Sequence, residues 1–321
     1  MCIDIKYSFV LPAYKARFFR EALDSILAQT YKDFELIIVN DASPEDLDSI
    51  VKGYNDPRIR YYVNEKNIGG KDLVAQWNHC LEYAKGEYVI LASDDDVYSP
   101  LYLEKMDELV CKYPDVNVFR PRVQYINEGN EVTYIEKPLT ENMSMLQYIE
   151  AWVSTKIGSG IPFYLFNRAE LLKSCGFANY PLGWFSDDAT VIELAKNGMA
   201  YSADTLFSFR CSEINISSKR HTKQAILNKI KATEMFFYHT KQLMENLPAN
   251  DNEELQRKQS LSRLFPYFIC ETKLRSQIFN CSLFVVFSIL PTLMRLEFLP
   301  KKLLVKYYFS HFRSLLLGKY K

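Results

Sequence analysis

Tyr88-Val89-Ile90-Leu91-Ala92-Ser93-Asp94-Asp95-Asp96 decides the reading of this chain. Its first five residues form an apolar run with the length of a strand buried on both faces. The three aspartates stand where that strand leaves its sheet. In an open α/β sheet, ligands bind at the carboxyl ends of strands. Adjacent carboxylates raise one another's pKa values unless cations or hydrogen-bond donors offset them. Hard divalent cations such as Mg²⁺ take carboxylate oxygens together with phosphate oxygens of a substrate. The first expectation is therefore a site for a metal and a diphosphate.

Upstream, residues 7–11 form a shorter apolar run stopped by Pro12, and residues 34–39 form another that ends in Asn40-Asp41-Ala42-Ser43-Pro44. Residues 59–63 read as one more strand. Between these runs, residues 17–29, 46–54 and 72–84 read as helices; the first carries Phe18, Ala22, Ile26 and Leu27 on one face. Residues 101–113 read as a helix and 116–119 as a fifth strand. This alternation predicts an α/β fold, a Rossmann-like, mostly parallel sheet flanked by helices. From 121 to 217 the pattern is less even, with one clear helix at 188–196. Residues 222–275 read as charged helices interrupted by a polar loop at 246–254.

At 321 residues, one large domain with an appendage, or two domains, is expected. The 39 basic and 39 acidic residues cancel, so bulk charge predicts no nucleic-acid partner. The seven cysteines form no C-x-x-C pair, a scatter that suits reduced thiols in the cytoplasm. The N-terminal residues lack the charged and apolar regions of a signal peptide.

Two nucleotide-binding folds are excluded by their glycines. A dinucleotide-binding domain needs G-x-G-x-x-G after its first strand, and here Pro12-Ala13-Tyr14-Lys15-Ala16 follows. A P-loop needs an earlier glycine before Gly70-Lys71 and a Ser or Thr after it, where Asp72 stands. A diphosphate must then be held by other means, for which a metal on the aspartates is suited.

Five pieces in order resemble the family 2 glycosyltransferases, nucleotide-sugar-dependent enzymes of the GT-A fold. They are Val10-Leu11-Pro12-Ala13-Tyr14, Ala22 to Tyr31, Phe34 to Ser43, Asn67-Ile68-Gly69 with Asn78, and Ala84-Lys85-Gly86-Glu87-Tyr88 leading into the triplet. The likeness covers about the first 95 residues and fades across 120–215. It implies a catalytic domain at 1–221, with a nucleotide-sugar part at 1–120 and an acceptor part at 121–221; it does not reach the last hundred residues, where 222–321 read by their own pattern as a helical, partly basic and amphipathic region.

The resemblance implies an inverting enzyme, roles for single residues, and Mn²⁺ or Mg²⁺ as cofactor. Asp41 is expected to accept a hydrogen bond from a uracil N–H, where the plain alternative is a turn-forming aspartate. Tyr14 is expected to stack on the base, with Pro12 and Ala13 shaping its turn; a core aromatic is the alternative. Lys71 is a candidate phosphate contact or else a solvated lysine, and Trp77 stands where the family often has arginine. Within the triplet, strand alternation would point Asp94 and Asp96 one way and Asp95 the other. In the resembling family a proline commonly follows the motif, and Pro100 in that place implies instead Asp95 as the metal ligand, Asp94 as a donor contact, and Asp96 as a further ligand or a support.

Transfer with inversion needs a carboxylate to take the acceptor's proton. Counting back from Gly198 in Trp184-Phe185-Ser186-Asp187-Asp188 matches Asp187 to the family's base, with Asp188 as runner-up. Helix capping is the alternative for both. The resemblance also implies that Arg210 closes the site near the diphosphate, that the segment with Lys219-Arg220-His221 forms a lid, and that His221 is a lesser metal candidate.

Residues 278–290 are apolar but stop at Pro291, too short for a bilayer span. Residues 301–317 show helical amphipathicity, with Lys302, Lys306 and Arg313 on one side and Leu304, Tyr308, Phe312 and Leu315 on another. Such a helix suits peripheral contact with an anionic membrane or packing on the catalytic domain. The expected partners are a UDP-sugar donor and a glycan or polyprenyl-linked glycan acceptor of surface polysaccharide synthesis, on the inner face of the cell membrane. Two rivals stand beside this: a metal-dependent nucleotidyltransferase, which would need a glycine-rich basic loop after the first strand, and a non-catalytic sugar-binding protein.

Overall fold

The computed structural model describes residues 5–212, 222–249, 251–276 and 283–316. Two compact units are present. The first holds the residues up to 179 and those of 186–214. The second holds Tyr180–Phe185 and the C-terminal helices. The expected lid with Lys219, Arg220 and His221 lies outside the described residues.

The first unit is an α/β layer structure. In chain order it comprises β1 (Tyr7–Ala13), α1 (Phe19–Leu27), β2 (Phe34–Asn40), α2 (Leu47–Lys52), β3 (Ile59–Val63), α3 (Leu73–Leu81), β4 (Tyr88–Leu91), β5 (Val97–Tyr98) and α4 (Tyr102–Lys112). There follow β6 (Val118–Ile126), β7 (Val132–Ile135), β8 (Asn142–Met143), α5 (Met145–Val153), β9 (Leu165–Asn167), α6 (Arg168–Lys173), α7 (Ser186–Leu194) and β10 (Met199–Arg210). The sheet order is β3-β2-β1-β4-β9-β6-β10-β5. The first four strands of that order are parallel, and β1, β2 and β4 are buried along nearly their whole length. Beyond β4 the sheet is mixed, because β9 enters antiparallel between β4 and β6.

The chain runs outward from β1 through β2 to β3, then returns to the other side of β1 as β4. Order therefore reverses between β1 and β4, the place where open α/β sheets leave a crevice at their carboxyl edge. Asp41 follows β2 and the aspartate triplet follows β4, so both stand at that edge with the end of β1. Pro12 does not end β1 as its sequence suggested: the strand continues to Ala13 in register with Asn40. The β1–β4 pairing stops at Val10 and Leu91, so the N–H that Pro12 lacks falls beyond the last partner.

One buried polar cluster locks the opposite edge. Ser8 Oγ donates to Glu35 Oε1 at 2.7 Å and accepts from Gly86 N at 2.8 Å. Lys85 N and Arg60 Nη1 complete the Glu35 carboxylate, each at 2.7 Å. A Cβ on Gly86 would lie 2.8 Å from the Ser8 nitrogen and the Tyr7 carbonyl carbon. The Lys85-Gly86 pair is thus a requirement of close backbone approach.

In the second unit the helices are α8 (Lys223–Asn246), α9 (Asn252–Phe268), a π-helical stretch (Ile269–Leu274), α10 (Leu283–Arg295) and α11 (Lys301–Leu316). Ile226, Ile230, Leu274, Val286, Ile289, Leu293, Leu304 and Tyr307 pack into one core. The apolar run stops at Pro291, but the helix does not: α10 runs through it to Arg295. A proline there forfeits one backbone hydrogen bond, while Ile289 and Leu293 on either side stay buried. Among the described residues no helix is long and apolar enough to cross a membrane.

Gly86→Ala is expected to cost about 1–3 kcal/mol through backbone overpacking. Urea unfolding should show a lower midpoint with unchanged slope; an unaltered midpoint would contradict the close-approach account.

Candidate active site

The three aspartates are each assigned to different donors. Asp94 Oδ2 accepts from Tyr14 N at 2.9 Å and Lys15 N at 2.7 Å, tying the turn after β1 to the end of β4. Asp95 Oδ2 accepts from Lys15 Nζ at 2.7 Å, and the same ammonium is 3.4 Å from Asp94 Oδ1. Asp96 is turned inward: Oδ1 accepts from Arg210 N at 2.8 Å and Oδ2 from Ser93 Oγ. The chain bends at Asp94 and Asp95, so strand alternation does not apply across the triplet.

Burial raises the Asp94 pKa, and Lys15 with the two backbone donors pulls against that rise. Burial, then the Asp95 charge, pushes Asp96 up to about 8. Burial pulls Lys15 down, but the Asp94 and Asp95 charges outweigh it and its pKa is raised. Lys15 is a site residue that no sequence motif singled out. Its signal was a cation at the carboxyl end of the strand next to the one carrying the triplet.

Tyr14 is positioned by its main chain. Its N–H is held by Asp94 and its carbonyl accepts from Ser43 Oγ at 2.5 Å, while the residue as a whole is 41% exposed. Ala42, between Asp41 and Ser43, takes a left-handed φ of 49°, a conformation that clusters at functional turns. Asp41 is buried and accepts from Asn64 Nδ2, Ile68 N and Gly69 N, each at 2.8 Å. It therefore anchors the Asn67-Ile68-Gly69 loop. A Cβ on Gly69 would sit 3.0 Å from Asp41 Oδ2, which accounts for glycine there. Lys71 is exposed on the same loop. Asn78 serves the fold instead of the crevice, exchanging two hydrogen bonds with the Phe177 main chain at 3.1 and 2.7 Å.

Arg210 is placed differently from the expectation of an arm closing on diphosphate. It is fully buried, and its guanidinium reaches the Asp95 carbonyl at 2.8 Å, Asn130 Oδ1 at 2.7 Å and Glu21 Oε2 at 2.9 Å. Its carbon lies 4.3 Å over the Phe18 ring. Side chain and main chain together fasten β10 to the triplet, from Asp95 to Asp96.

Asp187 and Asp188 form the first turn of α7. Asp187 is half-buried, and its Oδ1 accepts from Asp188 N at 2.9 Å. Asp188 is buried, and its charge adds to the burial that raises Tyr148 and Tyr164, whose hydroxyls share a 2.8 Å hydrogen bond. Of the pair, Asp187 is the more accessible to an acceptor.

Among the described residues no group of three or more His, Cys, Asp and Glu side chains is arranged to hold a metal ion. The donor set does suit a cation completed by substrate. Lys15 already provides a positive charge at Asp95, where Asp94 and Asp96 take backbone donors. Mg²⁺ is commonly held by one or two carboxylates plus phosphate oxygens. Asp95 fits that pattern, while both Asp96 oxygens are engaged elsewhere.

Comparison with known proteins gives the family and the fold. The family model described as "Glycosyl transferase family 2" matches residues 8–176, more than half of the chain. An uncharacterized glycosyltransferase of Rickettsia typhi is 35% identical over 133 residues, 41% of this chain and 40% of the relative. The putative glycosyltransferase EpsE of Bacillus subtilis is 38% identical over 112 residues, 34% of this chain and 39% of the relative. The matched segment thus spans about two fifths of these relatives' length. Among solved structures, S. aureus TarS 1–349 in complex with UDP-GlcNAc superposes with a TM-score of 0.66 at 18% identity, covering 98% of this chain and 92% of that one. The same segment of TarS with UDP gives 0.65 at 16% identity, again covering 98% and 92%. At those identities the likeness shows the GT-A fold, here with a C-terminal helical region.

Arg210→Met should cost about 1–3 kcal/mol, since it strips the buried Asp95 carbonyl of its side-chain donor. Thermal and urea unfolding read this directly; wild-type stability in the variant would contradict the fastening role.

Proposed function

Since the chain belongs to glycosyl transferase family 2, we propose that it is an inverting glycosyltransferase that moves a sugar from a nucleotide-sugar, UDP-linked, to a hydroxyl of a glycan in surface polysaccharide synthesis. The observation that carries this reading is the crevice at the β1–β4 reversal. There one carboxylate, Asp94, fixes the Tyr14 turn, and a second, Asp95, faces a cation. UDP and UDP-GlcNAc in the TarS complexes support the choice of donor class. The missing glycine loop after β1 speaks against the nucleotidyltransferase rival.

In this reading the exposed Tyr14 ring stacks on the base, and the loop held by Asp41 forms the wall beside it, with Lys71 at its rim. Asp95 would hold Mn²⁺ or Mg²⁺, which when bound supplies charge to stabilise the leaving diphosphate. Lys15 adds positive charge next to the carboxylates, so that an anionic diphosphate can approach them. Asp187 takes the proton from the acceptor hydroxyl as its oxygen bonds to the sugar C1. The bond from C1 to the diphosphate oxygen breaks on the opposite face, which inverts the anomeric centre. Asp188 is buried next to Asp187, and its N–H donates to the Asp187 carboxylate. The acceptor hydroxyl belongs to a growing glycan or to a polyprenyl-linked one. A polyprenyl carrier stays in a bilayer, so that acceptor calls for peripheral contact with the membrane.

Hydrolysis of a panel of nucleotide-sugars should single out one UDP-sugar, stop with EDTA and recover with Mn²⁺ or Mg²⁺. Absence of turnover on every UDP-sugar, or turnover indifferent to EDTA, would overturn the donor assignment. Asp187→Asn should leave the donor KM within about twofold while kcat for transfer falls roughly 10²–10⁴-fold. A large loss of donor binding instead would remove Asp187 from the role of base.

A further inference from the structure

The outward surface of α10 and α11 carries apolar side chains that the unit's core does not use. On α10 the exposed stripe is Phe284, Phe287, Pro291 and Met294, spaced at three and four residues, while Val286, Ile289 and Leu293 face inward. Phe284 is 82% exposed and Phe287 58%. On α11, Leu304 and Tyr307 are buried, and Val305, Phe309 and Phe312 point outward, Phe309 at 73% exposure. This corrects the expected face of the last helix: Phe312 lies on the solvent side, Tyr307 takes the inward place, and the side chain of Leu315 lies outside the described residues.

The two stripes adjoin. The Phe287 and Tyr308 rings are 5.7 Å apart, and the Tyr308 hydroxyl donates to the Val286 carbonyl. On a helix turning 100° per residue, Phe312, Val305 and Phe309 follow Tyr308 away from that seam, and Lys302, Arg313 and Lys306 come next. An aromatic band is therefore bordered by a basic one. Lys306 shares Glu271 with Arg275, whereas Lys302 and Arg313 are exposed. Lys301 is occupied with the Met294 and Leu296 carbonyls, which close the end of α10. Single exposed apolar residues are ordinary. Four outward phenylalanines on two adjoining helices, edged by cations, are the pattern of a surface that enters the headgroup region of an anionic bilayer.

We propose that the α10–α11 face is a peripheral membrane-binding surface, with Phe284, Phe287, Phe309 and Phe312 entering the interface and Lys302 and Arg313 meeting anionic lipid headgroups. The charge pattern selects this occupant over a neutral apolar partner, because the cations border the aromatic band along its length. The proposal rests on the second unit alone. It deepens the reading of a polyprenyl-linked acceptor, since it brings the enzyme to the surface where that acceptor resides.

The test is co-sedimentation of the full chain with vesicles of phosphatidylcholine, with and without phosphatidylglycerol. Wild type should bind the anionic vesicles and lose most binding in high salt. Lys302→Ala with Arg313→Ala should weaken that binding roughly 25-fold, from about fivefold per cation. Phe309→Ser with Phe312→Ser should weaken it about tenfold or more at any salt. UDP-sugar hydrolysis without vesicles should be unchanged in both variants, so a failed donor assignment and a failed membrane assignment are read separately. Wild type remaining in the supernatant with anionic vesicles would overturn the proposal. So would variants that bind as wild type, or sedimentation velocity showing a dimer of this chain that the phenylalanine substitutions dissociate.

Discussion

Three carboxylates in a row cannot occupy one sheet edge unless each finds its own compensation. The first unit is arranged around that constraint. Asp94 takes two backbone N–H groups from the turn after β1. Asp95 takes the Lys15 ammonium, and Asp96, whose pKa burial raises, accepts from Ser93 Oγ and the Arg210 N–H. Each aspartate so becomes a connection: β4 to β1 through Asp94, β4 to β10 through Asp96. Asp95 faces the side-chain charge of Lys15, which Asp94 shares at longer range. Division of labour among like residues, set by their different donors, is what makes a binding crevice out of an acidic run.

The parallel half of the fold was legible because strands buried on both faces are written as uninterrupted apolar runs. Phe34-Glu35-Leu36-Ile37-Ile38-Val39 shows how far this tolerates an exception, since Glu35 is buried among Ser8, Arg60 and the Lys85 N–H. What was hidden depends on partners remote in sequence. The two-residue strand Val97–Tyr98 exists only because β10 pairs with it, and β9 is three residues that complete the gap between β4 and β6. No local periodicity encodes such short pieces.

The candidate site was legible by residue type and less so by role. Asp41 stands at the carboxyl edge, and Arg210 is buried beside the triplet. Their side chains are spent largely on the protein itself: one holds a loop by three hydrogen bonds, the other a strand end by several. Lys15 was the converse case, a residue with no motif of its own that gains a role through two carboxylates some eighty positions away. The face of the last helix could not be chosen from its own sequence, because Tyr307 and Phe312 are both aromatic and only packing against α10 decides which is buried.

The central claim is that the β1–β4 crevice is a nucleotide-diphosphate site in which Asp95 carries the cation. Calorimetric titration of UDP onto wild type and onto Asp95→Asn, each with and without Mn²⁺, tests it most directly. The account predicts Mn²⁺-dependent binding in wild type and a loss of about 100-fold or more in the variant, with unfolding behaviour retained. UDP binding that is equally tight without the metal, or equally tight in Asp95→Asn, would contradict it.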